Sequence, residues 1–179
     1  MERTPKAKNI RVTLYMAMTI NGFIAKENDK TPWSDATWAS YSTIVRNFGN
    51  MIVGRRTFEI MQKANEFHKT GNPVTVIVSN SSLKVPDQFT VVYTPEEAFD
   101  ILETKGFTKA LLGGGSKLNA AYMERGLVDE IVLDIEPQIF GRGIPLFHEM
   151  KVERKLVLQE SIRIGQDVLQ LHYRVRNKT

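Results

Sequence analysis

Residues 109–122 read KALLGGGSKLNAAY. Ala110, Leu111 and Leu112 form an apolar run of strand length, three glycines follow, and Leu118, Ala121 and Tyr122 then recur at helical spacing on one face. The stretch is a strand, a tight turn and the start of a helix. Glycines at such a junction let backbone approach a ligand closely. The amides around Gly114, Gly115 and Ser116 would stand at a helix N-terminus, where unpaired N–H groups and the helix dipole attract anions. Phosphate fits that description. A plain glycine turn between strand and helix fits it equally, so the rest of the chain has to decide.

Upstream, Phe89 to Tyr93 reads as a strand, and Thr94-Pro95-Glu96-Glu97 is a helix start: a capping threonine, proline at the first helical position and glutamate at the third. Ala98, Ile101 and Leu102 supply that helix's buried face, and Gly106 stops it. Pro73 to Ser79 is another buried strand, and it ends in the polar run Ser79-Asn80-Ser81-Ser82. Met51 to Val53 is a brief strand followed by Gly54-Arg55-Arg56-Thr57, which opens a helix with Phe58, Met61 and Asn65 on one face. Paired arginines and a hydroxyl at a helix N-terminus suit a phosphate, although a solvated end explains them as well. Ile10 to Met18 is the first strand; Thr13, Tyr15, Thr19 and Asn21 interrupt the apolar run there and argue against a signal peptide. A polar loop, Thr19 to Pro32, surrounds the apolar island Phe23-Ile24-Ala25. Ser34 then caps a helix with Trp38, Tyr41, Val45 and Phe48 on one face.

Downstream, Gly126 ends the helix after the glycine turn, and Glu130 to Ile135 is a sixth strand. Pro137, Gly141, Gly143 and Pro145 forbid long regular structure. Lys155 to Ile164 and Val168 to Val175 alternate apolar and polar residues about Gly165-Gln166-Asp167, as an antiparallel hairpin does. Repeated strand and helix units with a terminal hairpin predict a three-layer α/β fold in a single domain over residues 1–179. Its mostly parallel twisted sheet has helices on both faces and a C-terminal antiparallel hairpin.

Composition narrows the function. The 179 residues are 42% hydrophobic and 25% charged, ordinary for a globular domain. No cysteine is present, which excludes a disulfide scaffold, thiol catalysis and cysteine metal sites, and suits a cytoplasmic location. The net charge of +4 is spread along the chain; only the tails, Arg3 to Arg11 and Arg174 to Lys178, are purely basic, so nucleic acid is not an expected partner. No apolar run is long enough for a membrane span. His68, His148 and His172 are scattered without metal-ligand spacing, and no metal is expected.

Three anion-friendly turns, after Val53, Val78 and Leu112, all fall at carboxyl ends of candidate parallel strands, where open α/β sheets bind ligands. Together they favour an extended, multiply phosphorylated ligand such as a dinucleotide. The segments Ala17 to Ala25 with Pro32-Trp33, Val53 to Glu59, Val78-Ser79-Asn80 and Leu112 to Ser116 resemble the dihydrofolate reductase superfamily in order and spacing. Gly126 to Glu130, Pro137, Phe140 to Gly143 and Pro145 to Phe147 are more similar to the reductase domain of bacterial riboflavin biosynthesis.

The resemblance implies reduction of a pterin or aminopyrimidine-like heterocycle with NADPH. It places Gly54, Arg55, Arg56 and Thr57 on the cofactor's phosphates and Ser79 and Asn80 near the adenosine 2′-phosphate. Gly113, Gly114, Gly115, Ser116 and Leu118 would cradle the pyrophosphate and nicotinamide side. Ala17, Thr19 and Ile24 would line the nicotinamide pocket, with Trp33 bordering cofactor and substrate. The position of the dihydrofolate reductases' acidic residue falls at or next to Trp38. Asp35, nearly a turn earlier, is the candidate catalytic acid, and a helix-start carboxylate is its other reading. Trp38 and Tyr41 are candidates for the substrate pocket or for the core. The resemblance and the hairpin's open edge imply a homodimer. A non-catalytic nucleotide- or pterin-binding protein that kept the pocket is the alternative.

Overall fold

A computed structural model describes residues 9–176. Most of the basic N-terminal tail, Arg3 to Lys8, and Asn177 and Lys178 of the C-terminal one lie outside the described residues. In chain order the elements are β1 (Arg11–Thr19), β2 (Phe23–Ala25), α1 (Asp35–Phe48), β3 (Asn50–Gly54), α2 (Arg55–Lys63), a short α3 (Glu66–Lys69), β4 (Val74–Val78) and β5 (Phe89–Val92). There follow α4 (Pro95–Thr104), β6 (Lys109–Leu112), α5 (Ser116–Glu124), β7 (Glu130–Glu136), β8 (Ile144–Pro145), β9 (Leu156–Ile164) and β10 (Val168–Val175).

Eight strands form one sheet in the order β5-β4-β3-β6-β1-β7-β10-β9. The strands from β5 to β7 run parallel, and β10 is antiparallel to both β7 and β9. The parallel strands are apolar on both faces because helices cover both. On one face Val12, Leu14, Ile52, Val76 and Leu112 pack with Ala98, Phe99 and Leu102 of α4 and Tyr122 and Met123 of α5. On the other, Tyr15, Met51, Val53, Ile77 and Leu111 pack with Val45 of α1, Phe58 and Met61 of α2 and Phe67 of α3. Each fully buried aliphatic side chain here contributes about 1.5–3 kcal/mol. The sheet is therefore a rigid floor.

Register fixes where the three turns lie. Leu14 and Ile52 both pair with Leu112, and Gly54 pairs with Val78. The carboxyl ends of β3, β4 and β6 thus share one edge. Between β3 and β6 a single registered pair is reinforced by the buried Asn50 side chain, which donates to the Lys109 carbonyl at 2.8 Å and accepts from the Leu111 N–H at 3.2 Å.

Three local expectations change. The Phe23–Ala25 island, expected within a loop, is strand β2, paired antiparallel with β8. The approach is tight because a Cβ on Gly143 would come within 2.5 Å of the Ala25 carbonyl oxygen. On α5, Leu118 and Ala121 do not share the buried face with Tyr122: the helix buries Asn119, Ala120, Tyr122 and Met123, and turns Leu118 and Ala121 to a cleft. Asn65 lies beyond α2, because its left-handed backbone (φ 55°) ends one helical segment and begins α3. At the far side of the sheet, edge strand β9 exposes Leu156, Leu158 and Ile162. Among the described residues, no helix is long and apolar enough to cross a membrane.

Candidate active site

A cleft of 810 Å³ opens at the carboxyl ends of β3, β4 and β6 and runs between α1 and α2. The N-termini of α2 and α5 meet at its edge. The four longer helices divide by how they begin. Outside that edge, α1 is capped by Ser34, whose side chain accepts from the Thr37 N–H, and α4 by Thr94, which accepts from the Glu97 N–H; both carry acidic residues in the first turn. By contrast, α2 and α5 start from Gly54 and Gly115, with no side-chain cap and no acidic residue in the first turn. Their first N–H groups have no intrahelical partner, and neither first turn carries a carboxylate of its own against the positive dipole end.

The two N-termini are clamped together. The Gly54 N–H donates to the Gly114 carbonyl at 2.7 Å, and a Cβ on Gly115 would stand 3.1 Å from the Thr57 hydroxyl. Ser116 is buried, lines the cleft, and its hydroxyl has no hydrogen-bond partner. A buried hydroxyl without a partner costs about 1–3 kcal/mol, and a bound anion between the two helix ends would satisfy it. This donor set suits the diphosphate of a dinucleotide. Arg55 reaches the end of β4, donating to the Ser81 hydroxyl at 2.9 Å while pairing with Glu59. Arg56 is held by Asp29 of the loop before α1 at 2.8 Å, a partner that the sequence reading did not supply. Ser79 and Asn80 line the same edge.

Of the candidate residues, Ala17, Ile24, Trp33, Trp38, Tyr41, Gly54, Arg55, Arg56, Thr57, Ser79, Asn80, Gly113, Gly115, Ser116 and Leu118 are brought together around the cleft. Gly114 stands behind it and contributes its carbonyl to the clamp. Thr19 is buried beneath the first loop, where its hydroxyl donates to Asn21 and accepts from the Phe23 N–H. Asp35 is exposed on the first turn of α1 and is not part of the cleft wall, because the Ser34 cap turns Thr37, Trp38 and Tyr41 inward instead. Among the described residues, no group of three or more His, Asp and Glu side chains is placed to hold a metal ion.

The start of α1 is anchored from below by Glu136, which is buried at the end of β7. Its carboxylate accepts from the Ser34 N–H and hydroxyl, both at 2.8 Å. Burial pushes this carboxyl up, but hydrogen bonds from Thr37, Ser34 and Gln138 outweigh burial and hold it below the ordinary carboxylate range. A lowered folded value means stability that is present above the unfolded pKa, about 4.3, and is lost as pH falls through the folded one. Glu136→Gln is therefore expected to cost about 1 kcal/mol near neutrality. The gap from the parent protein should close as the pH falls below about 4, which urea midpoints across that range would check.

The cleft's position, two helix ends on one sheet edge, invites comparison with known proteins. The model of the RibD C-terminal domain family matches residues 11–170. The chain belongs to this family. It is similar to Uncharacterized protein YwjB of Bacillus subtilis (strain 168), 29% identical over 170 residues that cover 91% of this chain and 97% of that protein. Among solved structures it is similar to a pyrimidine reductase-like protein from Corynebacterium diphtheriae NCTC, with a TM-score of 0.73 and 17% identity, covering 96% of this chain and 94% of that one. Dihydrofolate reductase from Enterococcus faecalis complexed with NADP(H) and RAB-propyl is a further match, with a TM-score of 0.74 and 17% identity, covering 95% of this chain and 98% of that one. At these identities the two structures share the fold, and the dihydrofolate reductase-like architecture expected from sequence holds.

In this RibD C-terminal domain several wall residues were not legible as such. Tyr15, Met16, Asp29, Glu66, Lys117, Arg125 and the Gly143 to Pro145 segment all line the cleft. A signal existed for Tyr15 alone: it lies two residues from Ala17 on a strand, so the two share a face.

Proposed function

We propose that this protein binds NADPH in the cleft and reduces a small flat heterocycle of the pyrimidine or pterin type. The observation that carries the reading is the pairing of α2 and α5, which present uncapped N-termini without acidic first turns to one cleft, with the buried, unpartnered Ser116 hydroxyl beside them. Family membership supports it, and so does the NADP(H) named with the Enterococcus faecalis enzyme of the same fold. NADPH held there would supply a hydride to a C=N carbon of the substrate, with the nitrogen taking a proton from solvent and NADP⁺ remaining.

The chain's own residues bind, orient and exclude water. Amides at the starts of α2 and α5, with Thr57 and Ser116, hold the diphosphate. Arg55, Ser79 and Asn80 hold the 2′-phosphate end. Ala17, Ile24 and Trp33 wall the nicotinamide; Trp33 is braced by Phe140, stacked at 5.8 Å. Tyr15, Trp38 and Tyr41 form a flat apolar wall for the heterocycle, so that two rings meet face to face in a dry site.

The test is titration with NADPH and NADH, followed by cofactor fluorescence, in the parent protein and Arg55→Ala. NADPH is expected to bind more tightly than NADH. Loss of one charge-assisted contact should weaken NADPH about tenfold and leave NADH nearly unchanged. Failure of both nucleotides to bind would overturn the reading.

A further inference from the structure

The half of the cleft remote from the helix ends is walled by Tyr15 of β1, Trp38 and Tyr41 of α1, Ile60 and Met61 of α2, and Glu66 at the start of α3. Tyr41 stacks on Tyr15 and meets Trp38 edge-on, each at 5.9 Å. This wall ends in a carboxyl. Glu66 is half-buried, with its carboxyl beside the Tyr41 hydroxyl. Burial is the main cause that lifts this carboxyl above its ordinary range, against the opposing pull of Lys69 and of the Tyr41 hydroxyl.

Among the described residues of this half, none is cationic. The basic side chains on the cleft stand elsewhere: Arg55 and Arg56 at the start of α2, Lys117 on α5, Arg125 just after it, and His148 beyond β8. Lys69, three residues after Glu66, does not line the cleft, and its ammonium donates to the Ala64 carbonyl at 2.9 Å.

We propose that Glu66 reads the substituent which a flat heterocycle carries away from its reacting end, and that this substituent is uncharged or cationic: a free sugar, hydroxymethyl group or amine, not a phosphate or carboxylate. The inference rests on the reductase reading above. A hydroxyl or ammonium finds an acceptor in Glu66, beside aromatic faces that cover its carbon skeleton. A phosphate finds no cation on the walls of this half, and the nearby Lys69 ammonium is already turned to the Ala64 carbonyl. The phosphate must either face an ionised carboxylate or, with the proton kept on Glu66, exchange its hydration for one neutral hydrogen bond. Stripping water from an unpaired charge is costly in both cases. Selectivity here works by exclusion as much as by attraction.

The experiment titrates 5-amino-6-ribosylaminouracil and its 5′-phosphate into the protein saturated with NADPH, following the fluorescence of the bound cofactor. A second pair, 6-hydroxymethyl-7,8-dihydropterin and 7,8-dihydrofolate, repeats the comparison with a carboxylate tail. In each pair the member without the anion is expected to bind tighter by about tenfold or more. Glu66→Arg should reverse the order, and Glu66→Gln, which keeps the size and removes the charge, should narrow it. Anionic members that bind as tightly as their partners, a ratio that Glu66→Arg does not move, or no binding by any of the four would overturn the inference. NADPH affinity, read in the same titrations, separates the two claims. Its absence overturns the reductase reading, whereas NADPH binding without tail preference overturns this inference alone.

Discussion

Gly114→Ala is expected to lower NADPH affinity by about a hundredfold, the largest loss from any single methyl in the cleft, because displacing bound groups by about 1 Å is enough for a change of that size. Gly114 has φ +83°, a left-handed conformation in which a side chain costs about 1–2 kcal/mol. Space is lacking as well: the added Cβ would run into the Met16 methyl and stand 3.4 Å from the Asn119 amide oxygen. The Met16 methyl ends a flexible side chain that can swing aside only into the cleft it lines, and Asn119 is fixed on the buried face of α5. The strain therefore falls mainly on the left-handed turn, which relaxes by moving. Its carbonyl is the acceptor that clamps Gly54, so movement separates the two helix ends proposed to hold one diphosphate between them. Gly141→Ala is the control, since its Cβ would meet nothing within 4 Å and its φ is not positive. Thermal melts with the fluorescence titrations would check the result. Cofactor affinity unchanged in Gly114→Ala would mean that the clamp does not organise the anion site.

The same turn explains which parts of the molecule could be read from sequence. Strand, glycine and helix onset leave a periodic pattern interrupted by residues with distinct backbone preferences, and all three anion-friendly turns were legible in that way. Their convergence followed from parallel topology without knowledge of any side chain. Short elements leave no such pattern. The pairing of β2 with β8 joins two- and three-residue strands over a hundred residues apart, too short to alternate visibly. Glu66 reaches the cleft only because Asn65 adopts a left-handed turn and starts a four-residue helix. Asp35 shows the converse. Its place near the expected acid was readable, but the direction of its side chain depends on how the Ser34 cap and Glu136 rotate α1, and those partners lie 102 residues apart.

Asp134→Ala is expected to destabilise the protein by about 3 kcal/mol and to weaken heterocycle binding more than NADPH binding. Asp134 is fully buried in β7 beneath the aromatic half of the cleft. Its carboxylate accepts from the Tyr15 hydroxyl at 2.6 Å and from the Gln170 amide at 2.7 Å. Gln170 also donates to Ser40 of α1 at 2.9 Å and bonds His172 at 2.7 Å, so one chain of polar groups ties β1, α1, β7 and β10 together. Burial, then the neighbouring Asp134 charge, pushes the Tyr15 phenol well above its usual range, which keeps it protonated and donating at any physiological pH. Removing the carboxylate takes the acceptor from the Tyr15 hydroxyl and from one Gln170 N–H in a buried layer, the costly way to break such a network. Tyr15→Phe removes one donor and leaves Gln170 on the carboxylate, so its cost should be smaller, about 1 kcal/mol. A double-mutant cycle in urea would measure the coupling between the two positions. The functional consequence follows from the stack: Tyr15 packs on Tyr41, and Tyr41 lies beside Glu66, so a loosened Tyr15 would disturb the wall proposed for the heterocycle while the helix ends proposed for NADPH stay in register. Equal losses of cofactor and heterocycle affinity would instead mean that Asp134 supports the sheet as a whole and has no separate hold on the aromatic half.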